Sequence, residues 1–177
     1  RIICSILSGI CALILLENQI TSVKVPGLDW LLTFSIFGIV ITLFATTTLA
    51  QAYNLIDGLN GLSSGCGLIA LTFISLLAFQ TGYHETFSFC LITLSCLLGF
   101  WLLNFFSGRI FLGDGGAYLI GHLVAWNSIM MSNELVDVSP WAFLLATAYP
   151  VIEILITVIR RVYLKRSVTA PDSDHFH

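Results

Sequence analysis

Charged residues are scarce in this sequence. They make up 10% of its 177 residues, whereas 57% of the residues are hydrophobic and the mean hydropathy is +0.95. An average soluble domain carries about 25% charged residues, so this composition excludes a soluble domain. It predicts a protein that crosses a membrane several times, and we expect no nucleic-acid partner.

Paired cysteines, repeats and low-complexity tracts are also absent. The five cysteines lie in apolar runs and form no Cys-x-x-Cys pair, which argues against both a zinc site and a disulfide framework. The sequence opens at Arg1 without the charged region of a signal peptide, and it stops at His177 inside a polar motif. We therefore expect residues 1–177 to be one membrane-embedded domain of a longer protein, lacking spans at both ends.

The apolar runs predict the fold class. A bilayer core needs about 20 apolar residues per helix. On that length the fold is predicted to be an all-α, polytopic membrane bundle of about six transmembrane helices, near 2–16, 28–50, 62–79, 86–103, 116–131 and 140–160. Pro150 lies inside the last of these and predicts a kink there.

The basic residues indicate which face is cytoplasmic. Six crossings put the loops near 54–61, 104–115 and 160–177 on one face of the membrane. That face carries most of the basic residues, namely Arg109, Arg160, Arg161, Lys165 and Arg166, and the other face carries Lys24. An excess of Lys and Arg marks the cytoplasmic side. Three polar clusters are therefore predicted to meet on the cytoplasmic face.

The first cluster is a glycine-rich polar stretch from Gln51 to Gly65. Polar groups in or near a bilayer are costly and usually face a bundle interior or a wet site. If the preceding helix continues, Asn54 and Asp57 share one face, with Gln51 one turn earlier. The alternative is a helix end with a glycine stop and a tight hairpin.

The second cluster runs from Gly108 to Gly116. Asp114 lies between glycines at the start of a span, where it could bind a hard cation such as Mg²⁺ that holds phosphates. The alternative is that Asp114 is only a helix N-cap. Arg109 could pair with phosphate oxygens, or it could be an ordinary charge flanking the membrane.

The third cluster contains His175 and His177 beside two aspartates. Such histidines can bind a metal or contact phosphate, and the alternative is a solvated tail or part of a tag. Glu153, inside the last span, could line a pathway or form an internal ion pair with Arg160. If polar groups spread through the depth of the bilayer, the protein would instead be a small transporter.

In order, spacing and sidedness, the three clusters resemble the polyprenyl-phosphate N-acetylhexosamine-1-phosphate transferases, bacterial glycosyltransferase family 4. Gln51 to Gly61 resembles the motif Asn-x-x-Asn-x-x-Asp-Gly-x-Asp-Gly, and Phe111 to Ala117 resembles Phe-x-Gly-Asp-x-Gly-Ser. His175-Phe-His177 resembles the beginning of His-x-His-His. The residues before it favour the hexosamine branch over the phospho-MurNAc-pentapeptide branch.

The sequence departs from the family pattern at four points. Gln51 replaces the first Asn, Asn60 replaces the second Asp, and Ala117 replaces Ser. The family also has an Asp-Asp motif on an earlier cytoplasmic loop, and Arg1 resembles what directly follows that motif. The 177 residues by themselves are therefore expected to be inactive.

The resemblance implies a reaction and a set of roles. A UDP-N-acetylhexosamine and polyprenyl (undecaprenyl) phosphate would give polyprenyl diphosphate-sugar and UMP, with Mg²⁺, or Mn²⁺ in its place, as cofactor. The implied location is the bacterial inner membrane, with the active site facing the cytoplasm. A homodimer is compatible with the resemblance. The alternatives are a phospho-MurNAc-pentapeptide transferase and a transporter. The implied roles are Asp57, Asp114 and His175 in catalysis, Asn54, Asn60, Arg109 and His177 in substrate binding, and Asn54 and Asp114 as metal ligands.

Overall fold

The computed structural model describes residues 2–164. Within that range the protein is all α, without strands, as the apolar runs predict. The helices are α1 (Ile2–Leu16), α2 (Pro26–Leu32), α3 (Ser35–Leu55), α4 (Leu62–Thr81), α5 (His84–Ser107), α6 (Gly113–Glu134), α7 (Pro140–Ala146) and α8 (Ala148–Tyr163).

The six spans expected from the sequence are not all found among the described helices. Three helices in the described range, α3, α4 and α5, are long and apolar enough to cross a bilayer, and α7 with α8 makes a fourth if the pair is one broken span. Helix α1 has 15 residues, about a turn short of the usual length. Helix α6 has 22 residues but carries many glycine and polar side chains. The protein is a multi-pass membrane protein, and its six crossings are not confirmed.

The last span breaks at Thr147 rather than at Pro150. Helices α7 and α8 meet there at an angle of 79°. Pro150 falls in the first turn of α8, where its missing N–H removes no hydrogen bond inside that helix. The sequence thus predicts a distortion of this span but places it three residues late. Beyond the break, Glu153, Thr157 and Arg161 are buried along one face of α8.

Helices α3 and α6 pack antiparallel and very closely. A Cβ atom on Gly121 would lie 2.6 Å from Cα of Ala50 and 2.9 Å from the carbonyl oxygen of Leu49. Backbone atoms cannot retreat as side chains can, so this approach requires glycine. Small residues commonly allow such close helix packing in membranes. The contact aligns the C-terminal end of α3 with the N-terminal end of α6.

At the far end of α6, hydrogen bonds join this helix and the loop that follows it to the loop after α1. The side-chain amide of Asn133, at the end of α6, donates to the carbonyl oxygen of Gln19 at 2.6 Å. The ammonium group of Lys24 donates to the carbonyl oxygen of Val136 at 2.6 Å. The loops after α1 and after α6 therefore lie together, at the end of the bundle remote from Asn54. This agrees with the loop assignment obtained by counting crossings.

Candidate functional site

The first two polar clusters meet at one end of the bundle. Asn54 is in the last turn of α3 and Asp114 is in the first turn of α6. The Asn54 side-chain amide donates a hydrogen bond of 3.0 Å to Oδ1 of Asp114, although the two residues are 60 positions apart. This contact is the centre of the candidate site.

Asp57 lies in the turn that follows α3 rather than on the helix. Helix α3 ends at Leu55, and the Asp57 N–H reaches the carbonyl oxygen of Asn54 at 3.4 Å. The expectation of a shared helical face for Asn54 and Asp57 is therefore wrong, because the helix stops between them. Burial and the nearby Asp114 carboxylate raise the pKa of Asp57 to about 6. Two carboxylates thus repel one another at the same end of the bundle.

Asp114 is not the N-cap of α6. The N-cap is Leu112, whose side chain makes no capping hydrogen bond. Gly113 precedes Asp114 with a φ of +67°, a left-handed conformation that glycine adopts without strain. Asp114 is exposed in the first turn, where an acidic side chain is favoured by the helix dipole. Asp114 therefore lies two residues past the N-cap position, and its carboxylate accepts the hydrogen bond from Asn54.

Asn104 ties the two motif loops together, and our sequence interpretation missed it. Its Oδ1 accepts a hydrogen bond from the Gly61 N–H at 2.5 Å, and its Nδ2 donates to the carbonyl oxygen of Ile110 at 2.6 Å. The side chain is 5% exposed. Gly61 belongs to the loop of Asp57, and Ile110 to the loop before Asp114. The available signal was a lone amide inside an otherwise apolar run.

The ring of Trp101 supports the same loop one turn before Asn104. Its Nε1 donates to the carbonyl oxygen of Gly61 at 3.1 Å. Gly61 has a φ of +80°, and a Cβ there would lie 2.7 Å from the Phe105 ring. Helix α5 therefore fixes the Asp57 loop through both backbone groups of Gly61.

Asn60 and Arg109 occupy the exposed rim of the site. A Cβ on Gly108 would lie 2.8 Å from Nδ2 of Asn60, so the Asn60 side chain rests against the loop that carries Arg109. Arg109 follows the end of α5 and is exposed. The structure thus brings Asn54, Asp57 and Asp114 together, and Asn60 lies against the loop that carries Arg109. His175 and His177 lie outside the described residues.

The donor set fits a hard cation. Within residues 2–164 no group of three or more His, Cys, Asp or Glu side chains could enclose a metal by itself. Asp57 and Asp114 nevertheless supply two carboxylates. Asn54 turns its Nδ2 towards Asp114, so its amide would have to rotate for the oxygen to join a cation shared with Asp114. Mg²⁺ is commonly held by one or two carboxylates, with water and substrate phosphates completing its shell. Burial is the larger cause of the raised pKa of Asp57 and repulsion from Asp114 is the smaller one; a divalent cation would relieve that repulsion.

Comparison with known proteins agrees with the motifs. A model of glycosyl transferase family 4 matches residues 1–132. A protein of Bacillus subtilis (strain 168), "Probable undecaprenyl-phosphate N-acetylglucosaminyl 1-phosphate transferase", is 31% identical over 130 residues, which cover 73% of this chain and 36% of that protein.

Phospho-N-acetylmuramoyl-pentapeptide-transferases are similar to the same degree. The protein of Staphylococcus carnosus (strain TM300) is 31% identical over 115 residues, covering 65% of this chain and 36% of that protein. The protein of Staphylococcus aureus (strain bovine RF122 / ET3-1) is 33% identical over 120 residues, covering 68% and 37%. The chain thus spans little more than a third of these relatives. Because the family model matches most of its residues, the chain belongs to glycosyl transferase family 4.

Proposed function

We propose that the complete protein transfers an N-acetylated sugar 1-phosphate from a UDP-sugar to polyprenyl phosphate and releases UMP. Two facts support this reaction: membership of glycosyl transferase family 4, and relatives whose names describe transfer of a sugar phosphate unit. We propose a hexosamine donor because Pro171-Asp172 precedes the histidines, as in that branch. The phospho-MurNAc-pentapeptide reaction is the alternative donor choice within the same chemistry.

The contact between Asn54 and Asp114 carries the proposal. It joins two remote motifs at 3.0 Å and brings the Asp57 carboxylate within electrostatic range. We propose Asn54 and Asp114 as ligands of Mg²⁺, or of Mn²⁺ in its place. When bound, the cation would neutralise phosphate charge, which is the main need in phosphoryl transfer. Asp57 would orient the nucleotide or a metal-bound water from the adjacent turn.

The remaining steps fall to the substrates and to the rim of the site. An oxygen of the lipid phosphate attacks the sugar-bearing phosphorus of the donor, the bond from that phosphorus to the oxygen bridging to UMP breaks, and UMP leaves with the electron pair. The attacking oxygen is already anionic, so no strong base is required. Arg109, which is exposed, would pair with donor phosphate oxygens. We assign His175 and His177 to the donor phosphates on the resemblance alone.

We propose that this end of the bundle faces the cytoplasm of a bacterial cell, at the inner membrane. Arg109 lies at this end, and Arg160 and Arg161 are in the last turn of α8. A basic excess on one side is the usual mark of the cytoplasmic face. The soluble nucleotide would arrive from that side, while the lipid phosphate lies at the membrane interface.

Helix α1 brings a further part of the chain to this end. Ser5, in its second turn, accepts a hydrogen bond from Gln51 at 3.2 Å, so α1 begins beside the site.

A radiolabelled donor assay tests the proposal. Membranes containing the full-length protein are incubated with polyprenyl phosphate and, in parallel, UDP-GlcNAc, UDP-GalNAc and UDP-MurNAc-pentapeptide. We expect label in a lipid-extractable diphosphate product with one of the hexosamine donors. Product with the pentapeptide donor alone would place the protein in the other branch. Absence of any lipid product, together with uptake of a solute into vesicles, would favour the transporter.

A further inference from the structure

Gln51 makes a hydrogen-bonded bridge among three helices. It lies on α3, one turn before Asn54. Its Nε2 donates to Oγ of Ser5 on α1 at 3.2 Å, and its Oε1 accepts from the hydroxyl of Tyr118 on α6 at 3.3 Å. The side chain is half-buried between the two partners. One amide therefore uses its donor on one neighbouring helix and its acceptor on the other.

This bridge lies directly beneath the centre of the site. Gln51 precedes Asn54 by three residues on α3, and Tyr118 follows Asp114 by four residues on α6. Residues three and four apart are neighbours on a helix surface. The Gln51 to Tyr118 bond and the Asn54 to Asp114 bond are thus successive rungs across the same pair of antiparallel helices. A shift of either helix along its axis would break both.

We propose that Gln51 is a positioning residue for the metal–phosphate site, an inference that rests on the proposed function for the nature of the ligand. Held between Ser5 and Tyr118, its amide fixes the register of α3 against α6, and through it the separation of the Asn54 amide and the Asp114 carboxylate. The length of the side chain matters. The Asn that the family motif has at this position is one methylene shorter, and it would not reach α1 and α6 together.

The test measures binding of Mn²⁺ to the full-length protein by electron paramagnetic resonance, without nucleotide or lipid. Gln51→Asn shortens the side chain so that its amide no longer reaches Ser5 and Tyr118 at the same time. Ser5→Ala removes one of these two partners without adding bulk. The control is Ser95→Ala on α5, whose hydroxyl donates to the carbonyl oxygen of Leu91 in its own helix. We expect Mn²⁺ dissociation constants to rise about tenfold in Gln51→Asn and about threefold in Ser5→Ala, with no change in the control.

A purely structural role would give a different result. If Gln51→Asn and Ser5→Ala lower the melting temperature yet bind Mn²⁺ as tightly as wild type, the positioning role is wrong. Failure of the wild-type protein to bind Mn²⁺ would also overturn it. Should Gln51→Asn not fold, the Mn²⁺ affinity of Ser5→Ala decides alone.

The proposed function can fail separately. A wild-type protein that binds Mn²⁺ and shows the expected variant series, but forms no lipid-linked sugar, would refute the reaction and leave the positioning role intact. A wild-type protein that forms the product, with unchanged Mn²⁺ affinity in both variants, would refute the positioning role alone.

Discussion

Replacing Asn104 is the sharpest perturbation of the site that leaves every proposed ligand in place. Its amide accepts from the Gly61 N–H and donates to the Ile110 carbonyl, so Asn104→Leu removes both links between the motif loops. Leu has the branching of Asn with methyl groups in place of Oδ1 and Nδ2, but it is larger, and the site is buried. The substitution therefore removes both hydrogen bonds and also requires the surroundings to make room for the methyl groups.

The two bonds differ in what their loss costs. Gly61 is buried, so its N–H would lose its partner without gaining water, at a cost of about 1–3 kcal/mol. Ile110 is exposed, so water can take the place of the Asn104 amide at its carbonyl oxygen. We expect the free energy of unfolding of Asn104→Leu to fall by about 2 kcal/mol in total. Freed loops should misplace Asp57 and Asp114 and lower product formation at least ~10-fold.

Thermal unfolding and lipid-product formation are measured on full-length Asn104→Leu and Asn104→Asp. Asn104→Asp keeps the acceptor for Gly61 but sets a carboxylate oxygen against the Ile110 carbonyl in a buried site, so it should lose both activity and stability. Ser95→Ala, on the same helix, is the control and should match wild type. Wild-type stability and activity in Asn104→Leu would refute the view that this amide positions the loops.

Three further predictions follow from the site and the packing around it. The raised pKa of Asp57 means that its carboxyl group binds a proton more tightly in the folded protein than in the unfolded chain. Without divalent cations, the stability that this protonated carboxyl group contributes is therefore lost as pH rises from 3.8 to about 6. Unfolding in EDTA should show wild type losing stability relative to Asp57→Asn across that range; parallel curves would contradict the shift. Gly121→Ala should lower the free energy of unfolding by about 1–3 kcal/mol, since its Cβ would meet the α3 backbone. Gly99→Ala, where a Cβ meets nothing within 4 Å, should be neutral or stabilising, and equal stability of the two variants would refute the close-packing account. Asp114→Asn should leave the helix ends around Asn54 folded but raise the Mg²⁺ concentration needed for half-maximal activity. An unchanged Mg²⁺ requirement would show that Asp114 is not a metal ligand.

The sequence predicts most of the features that determine where the site lies in the fold. Long apolar runs determine the helices, because a bilayer leaves backbone groups no other partners. Counting crossings and basic residues puts the Asn54 and Asp114 motifs at one end, and the structure joins these residues at 3.0 Å. The family follows from the same motifs, and a matching family model confirms it.

Other features depend on tertiary contacts that no local pattern encodes. Helix α3 stops at Leu55, so Asp57 sits on a turn instead of the helical face that its spacing from Asn54 suggests. Asn104 shows no motif of its own, and its role appears only once two remote loops are seen to share its amide. The break before α8 lies at Thr147, and the proline that suggested it occupies a harmless first-turn position.

The identity of the released nucleotide tests the central claim most directly. Full-length wild type and Asp114→Ala are supplied with polyprenyl phosphate, Mg²⁺ and a UDP-hexosamine labelled in uridine, and the nucleotides are separated. Transfer of a sugar phosphate at the Asn54–Asp114 site predicts UMP in equal amount to the lipid product from wild type, and neither from correctly folded Asp114→Ala. Release of UDP in place of UMP, or undiminished UMP from Asp114→Ala, would contradict it.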